Sequence, residues 1–491
     1  PSPRSSTPGP MRTAAGHDAA GRSPPLLTAD VGRSSSAPAA DRLMSVEEAR
    51  AAVLAAVAGP TVSETAYLTE ARGRILAEDV LSLTALPPWD NSAMDGYAIR
   101  AADVASASED DPVRLAVTGE VRAGQAPEAD VSRGGAIRIA TGAPVPPRAD
   151  AVVPVEQTTP LKADGSLAGP RGRDATGPLP AAINVHTAAP EGGSIRRRGS
   201  DLVAGTRLID AGTVLTPAVL GLVAGVGVDR LTVHRRPIVG ILATGDEVRS
   251  PGHDLGPAGI PDANGPGLVA MVEAAGGDSR VLGIAADRFD DVKARLCAGL
   301  IEGADAIIVS GGVSVGPYDV VRAAFEAFGS IELWRVAVQP GKPFAFGTAR
   351  APGDDGSDPD RPATLLFGLP GNPVSTFVTF ELFVRPALRR LAGHRDDDLF
   401  RPVDRAVLID PVSKSAGRRA FVRVRVARDA GGSPVRDERG RVSASLAGGA
   451  GGQGSHVLSA LATADGLAVI PETHDDLPAG AEVELWWLDR A

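Results

Sequence analysis

The sequence predicts a multidomain α/β protein, with a central doubly wound α/β domain, an extended N-terminal domain carrying a β-rich insertion, and a small C-terminal β-barrel. Three observations carry this. The chain has 491 residues, beyond the ~250–300 at which a single core stops growing. Between Pro237 and Leu391, β-like runs repeatedly precede helical ones, the pattern of crossovers over a mostly parallel sheet with helices on both faces. On either side, short apolar runs are broken by Gly, Pro and Asp, as strands are by turns.

Residues 1–40 are rich in Pro, Ser, Ala, Gly and Arg without apolar periodicity, and they predict a disordered tail. Order begins at Ser45, where Ser45 and Glu48 form a capping box ahead of an alanine-rich helix. Residues 41–67 and 183–216 are assigned to the extended domain, with 68–182 inserted into it as the β-rich domain. Within the insert, 158–182 lacks any period and is expected to be a flexible loop. Residues 217–395 form the α/β domain. Its strands begin near Ile238, Arg280, Ala306 and Thr364, each followed by a helical pattern, and 352–361 form a second loop insertion. Residues 396–491 revert to strands, as in 421–426 where apolar and basic residues alternate, and close the chain as a small barrel or sandwich.

Composition excludes several functions. Aromatic residues are 4% and the net charge is −10, which disfavours a nucleic-acid surface and requires that any anionic ligand meet a local cluster of cations or backbone N–H groups. One cysteine, Cys297, precludes an intrachain disulfide and a thiolate metal site, and its helical setting makes it a buried core thiol. The most apolar stretch, 219–228, falls short of the ~20 residues that span a bilayer. A cytoplasmic location, with neither membrane nor nucleic acid as partner, is expected.

In an open α/β sheet, ligands bind beyond the carboxyl ends of the strands. Ser310-Gly311-Gly312-Val313-Ser314-Val315-Gly316 occupies such a loop, and its backbone can approach an oxyanion closely, although a ligand-free tight turn reads equally well. Thr244-Gly245-Asp246-Glu247 and Asp287 end two further strands, where carboxylates suit Mg²⁺ or are merely solvated loop acids. Gln339-Pro340-Gly341-Lys342-Pro343 fixes a cation between prolines, and Ser375 sits in the first turn of a helix opened by Pro373. The stretch from Pro87 to Ala98, with Asp90, Asp95, Trp89 and Tyr97, is too mixed for a core strand, and Thr141 offers a hydroxyl from a proline-stiffened loop.

Together these runs, with Ile195-Arg196-Arg197-Arg198-Gly199 and Pro370-Gly371-Asn372-Pro373-Val374-Ser375, resemble the MoeA family of molybdopterin molybdenumtransferases, to which the E domain of gephyrin also belongs. The resemblance runs from about Ser45 to the C terminus. It implies a MogA-like central domain and insertion of molybdate into adenylylated molybdopterin, with Mg²⁺-dependent release of AMP and molybdenum cofactor. By motif, Asp95, Thr141, Glu247 and Asp287 are the implied catalytic residues, the last two holding Mg²⁺. Ser310, Gly311, Gly312, Ser314 and Asp319 would bind the pterin and its phosphate. Lys342, Ser375, Arg418 and Ser455 would bind molybdate, and Asp201, Pro370 and Pro373 match structural positions.

The resemblance also implies a homodimer whose site forms between chains, and possible contact with the adenylyltransferase that prepares the substrate. Two departures stand out: Gln339 replaces a lysine common in relatives, and Pro317 replaces an acid, while Arg335 keeps a charge upstream. The alternatives are a molybdopterin adenylyltransferase, whose fold the central domain shares, and a gephyrin-like interaction scaffold. The choice between molybdate and tungstate is left open.

Overall fold

The computed structural model describes residues 43–172, 177–312, 320–358 and 361–488. The tail 1–40 lies outside them, as do Ser314, Pro317 and Asp319.

The helix Val46–Ala55 starts with the capping box: the Ser45 hydroxyl accepts from the Glu48 N–H at 3.1 Å, and the Glu48 carboxylate accepts from the Ser45 N–H at 2.8 Å. Its apolar stripe of Val46, Ala49 and Val53 packs into the same core as Val378, Phe380 and Leu388. The first helix is thereby docked on the α/β domain. The chain then forms the strand Ser63–Tyr67, which pairs antiparallel with Arg230–His234, and both share a small core with Leu215 and Val223. The extended domain therefore continues through the helix Pro217–Gly225 to about residue 234 rather than stopping at 216. The helix is uniformly apolar, so its pattern gave no sign of which domain it served.

The inserted domain holds a six-stranded sheet in the order Ala151–Pro154, Gly96–Ile99, Gly135–Ile139, Val113–Val121, Ala182–Val185, Thr158–Leu161. Gly96 is required where it stands, because a Cβ there would lie 2.0 Å from the Val153 carbonyl oxygen. The expectation of a flexible loop over 158–182 needs correcting at both ends. Thr158–Leu161 is an edge strand on Ala182–Val185, with Thr158, Pro160 and Leu161 buried. Four residues are too few to display a period.

The central sheet runs Asp278–Ala285, Ile238–Thr244, Ala306–Ser310, Thr364–Leu369, Pro343–Ala349, Gly329–Arg335. The first four are parallel and the last two antiparallel. Helices Asn264–Ala274 and Pro373–Thr379 pack on one face, Phe289–Ile301 and Val320–Glu326 on the other. The antiparallel pair escapes the strand-then-helix rhythm because no helix separates its members. Cys297 is half-buried on the outer helix layer rather than in the core.

The C-terminal domain closes a five-stranded barrel: Arg419–Val426 pairs with Val442–Leu446 on one side and Gly466–Ile470 on the other, and Val403–Leu408 and Glu482–Trp487 complete the ring. The two-residue strand Val338–Gln339, from the α/β segment, adds in parallel to the barrel strand Arg419–Val426. No helix among the described residues is long and apolar enough to cross a membrane.

Candidate functional site

Four parallel strands end on one edge of the central sheet, and their carboxyl-terminal loops enclose a cavity of about 550 Å³. Its lining includes Thr244, Glu247, Asp287, Ser310, Gly311 and Gly312. Gly311 and Gly312 adopt φ of +99° and +66°, and a Cβ on Gly311 would come within 2.6 Å of the Thr244 carbonyl oxygen. The glycines are thus needed both for the turn and for close approach. The Thr244 hydroxyl is buried against them and has no hydrogen-bond partner among the described residues. A buried polar group left unpaired is costly unless a ligand completes it.

The acids collect at one end. The Asp287 N–H donates to an Asp246 carboxylate oxygen at 3.2 Å. Burial, and then the negative charges of Asp246 and Glu247, raise the Asp287 carboxyl above the ordinary aspartate range. No group of three or more metal-ligating side chains occurs among the described residues. Hard carboxylate oxygens in mutual repulsion nevertheless fit Mg²⁺, which commonly takes one or two carboxylates and completes its shell from water and substrate phosphates.

The other end is built where the α/β domain meets the barrel. Ser375 is 5% exposed in the helix Pro373–Thr379, whose Val374 N–H donates to the Ser455 carbonyl at 3.1 Å. The turn before Lys342 packs on the same helix, since a Cβ on Gly341 would lie 2.6 Å from Thr379 Cγ2. The Lys342 carbonyl accepts from the Val336 N–H at 2.9 Å. Lys342, Ser375 and Ser455 are therefore assembled around one seam. Arg418 stands just before the barrel strand Arg419–Val426, and its side chain has no partner among the described residues. Its neighbour Arg419 is committed to Glu47 and Glu472.

Asp95 and Thr141 are joined to each other: an Asp95 carboxylate oxygen accepts from the Thr141 N–H at 2.7 Å and from its hydroxyl at 2.9 Å. Asp95 lines a separate cavity of about 440 Å³ on the inserted domain, with Tyr97, Glu120, Arg122 and Arg138. The two cavities have no lining residue in common.

Four residues escaped the sequence reading. Asn264 donates from its amide to the Ser310 hydroxyl at 2.7 Å and to the Gly371 carbonyl at 2.8 Å, tying three loops together. Asp262 lines the cavity and accepts from the Gly265 N–H at 2.8 Å at the start of that helix. His456 lines the cavity from the barrel side. Arg423, one of the basic residues that alternate with apolar ones in 421–426, is 1% exposed and donates to the Gly452 and Gly454 carbonyls at 2.7 and 3.0 Å. Burial pushes its guanidinium down to about 10. The short run from Asp262 to Asn264 carried a signal, an acid and an amide opening a helix after a strand-like pair; Arg423 and His456 carried none.

Residues 44–227 match a family model described as "MoeA N-terminal region (domain I and II)". Residues 240–390 match "Probable molybdopterin binding domain", and 405–488 match "MoeA C-terminal region (domain IV)". Over 431 residues the chain is 38% identical to molybdopterin molybdenumtransferase 2 of Mycobacterium tuberculosis, covering 86% of this chain and 94% of that one. With the molybdopterin molybdenumtransferase of Haemophilus influenzae it shares 32% identity over 443 residues, 90% and 98% of the two chains. A crystal structure of a molybdopterin biosynthesis MoeA protein from Pyrococcus superposes with a TM-score of 0.69 at 30% identity, covering 91% of this chain and 99% of that one.

Proposed function

As a member of the MoeA family of molybdopterin molybdenumtransferases, this chain is a transferase that inserts molybdenum into molybdopterin, and we propose that its substrates are adenylylated molybdopterin and molybdate, with AMP released. The observation that carries the reading is the polarity of the central cavity. Glu247 and Asp287 line it from the loops after its first two strands, while Pro370 to Pro373 and His456 line it from the loop after the fourth and from the barrel, next to the seam that holds Lys342, Ser375 and Ser455. With strands ~4.8 Å apart, three steps separate the two ends by ~14 Å. A pterin nucleotide with its phosphates at one end and its dithiolene at the other suits that span.

In this reading Gly311, Gly312 and the Thr244 hydroxyl meet the phosphate by close backbone approach and a hydrogen bond. Glu247 and Asp287 would hold Mg²⁺, which when bound neutralises the charge of the phosphoanhydride and of the departing AMP. Lys342, Ser375 and Ser455 hold the incoming oxyanion, with Arg418 at the rim. Ser314 and Asp319 remain candidates for the phosphate loop. Asp95 and Thr141 act from a second copy of the chain, since within one chain Asp95, to which Thr141 is bonded, lines a different cavity. The enzyme is then a cytoplasmic homodimer, able to receive its substrate from the adenylyltransferase.

Incubating the purified protein with adenylylated molybdopterin, molybdate and Mg²⁺, and measuring AMP together with active cofactor, tests the reading. Pyrophosphate release from molybdopterin and ATP without molybdate would replace it with adenylyl transfer. Unimpaired cofactor formation by Lys342→Ala and Asp95→Asn variants would favour a scaffold role.

A further inference from the structure

A cavity for a polyanionic nucleotide and a dianionic oxyanion should present positive charge, yet no lysine or arginine lines this one among the described residues. Its charged lining consists of Glu247, Asp262 and Asp287. The remaining titratable side chain is His456. It follows Ser455, whose carbonyl accepts from the Val374 N–H at 3.1 Å, so His456 enters the cavity beside the start of the helix that carries Ser375.

The loop that delivers His456 is fixed from beneath. Arg423 donates to the Gly452 and Gly454 carbonyls. The Gln453 amide donates to the Arg423 and Ala447 carbonyls, each at 3.1 Å, and its oxygen accepts from the Arg423 N–H at 3.0 Å. The ring also rests on Gly454, where a Cβ would come within 2.9 Å of His456 Cε1. Gln339, in contrast, offers no cation, and its amide oxygen already accepts from the Ser415 N–H at 3.2 Å.

From this placement we propose that His456 is an oxyanion-binding residue: its ring N–H donates to molybdate at the seam with Ser375 and Ser455, and it brings to that end a side chain able to carry the positive charge that Gln339 lacks. The assignment rests on the molybdenumtransferase reading. Imidazole can donate from one ring nitrogen when neutral and from both when charged, so it suits a tetrahedral oxyanion in either state.

The test is the Michaelis constant for molybdate, measured on the full-length protein alongside that for adenylylated molybdopterin, in wild type and in His456→Gln, His456→Asp and His456→Lys. His456→Asp should raise the molybdate constant by tenfold or more and His456→Gln by about threefold to tenfold, with His456→Lys staying within threefold of wild type; the pterin constant should move less than twofold throughout. Direct binding of molybdate by calorimetry should follow the same order. An unchanged molybdate constant in His456→Asp, or equal rises in both constants, would overturn the assignment. A wild-type protein that forms no cofactor from these substrates would instead overturn the underlying reading.

Discussion

The Asn264 amide stands 2.7 Å from the Ser310 hydroxyl, and with its second bond to the Gly371 carbonyl it joins the loops after the second, third and fourth strands of the central sheet. Asn264→Asp would face the Gly371 carbonyl with a second acceptor. The expected result is a loss of ~0.5–1.5 kcal/mol in urea denaturation, the net contribution of a hydrogen bond, and at least a tenfold fall in cofactor formation. Wild-type stability and rate would show that the three loops hold their positions without it.

Arg423→Met removes the donor on which two glycine carbonyls depend. A destabilisation of ~2–6 kcal/mol is expected, from two carbonyls at ~1–3 kcal/mol each. Because those carbonyls lie in the loop that carries Ser455 and His456, the molybdate Michaelis constant should rise while that of the pterin changes little. Arg423→Lys, with one compact ammonium in place of a planar fork, should recover only part of each effect.

Glu247→Gln and Asp287→Asn should each raise the Mg²⁺ concentration needed for half-maximal AMP release by tenfold or more, and chelation should abolish release in wild type. Asp287→Asn also removes the carboxyl that burial and the charges of Asp246 and Glu247 hold above its ordinary range. It should therefore leave the melting temperature unchanged or slightly higher while activity falls. A Mg²⁺ requirement identical to wild type would exclude both residues as its ligands.

His394 is half-buried beside Arg389 and Arg385, and desolvation followed by those charges lowers its imidazole from 6.5 to about 3. The Arg389 guanidinium lies 3.2 Å from His394 Nδ1, which accepts from it when neutral. Since the folded value lies below the unfolded one, the stabilising contribution is complete above pH ~6.5 and is lost progressively as pH falls toward 3. Chemical denaturation across this range should show His394→Gln with a smaller loss of stability than wild type.

The large periodic units were legible in the sequence because their periods report burial directly. The capping box at Ser45 and the strand-then-helix alternation from Ile238 to Leu391 follow from local spacing alone. The hairpin formed by Gly329–Arg335 and Pro343–Ala349, and the edge strand Thr158–Leu161, are set by partners distant in sequence or by too few residues to show a pattern. Lys342, Ser375 and Ser455 were accessible through motifs. Arg423 and His456 were not, since what distinguishes them is a buried carbonyl in one case and a cavity wall in the other, and neither property belongs to a residue type.

The pairing of Val338–Gln339 with Arg419–Val426 has a bearing on how this protein could be recombined. The barrel is contiguous in sequence from about residue 400, and a chimera joined there would look like a clean exchange of modules. It would, however, leave behind a strand that the barrel uses, together with the turn that presents Lys342. A graft of a relative's barrel should work only when residues 336–343 travel with it, making the natural unit of exchange discontinuous.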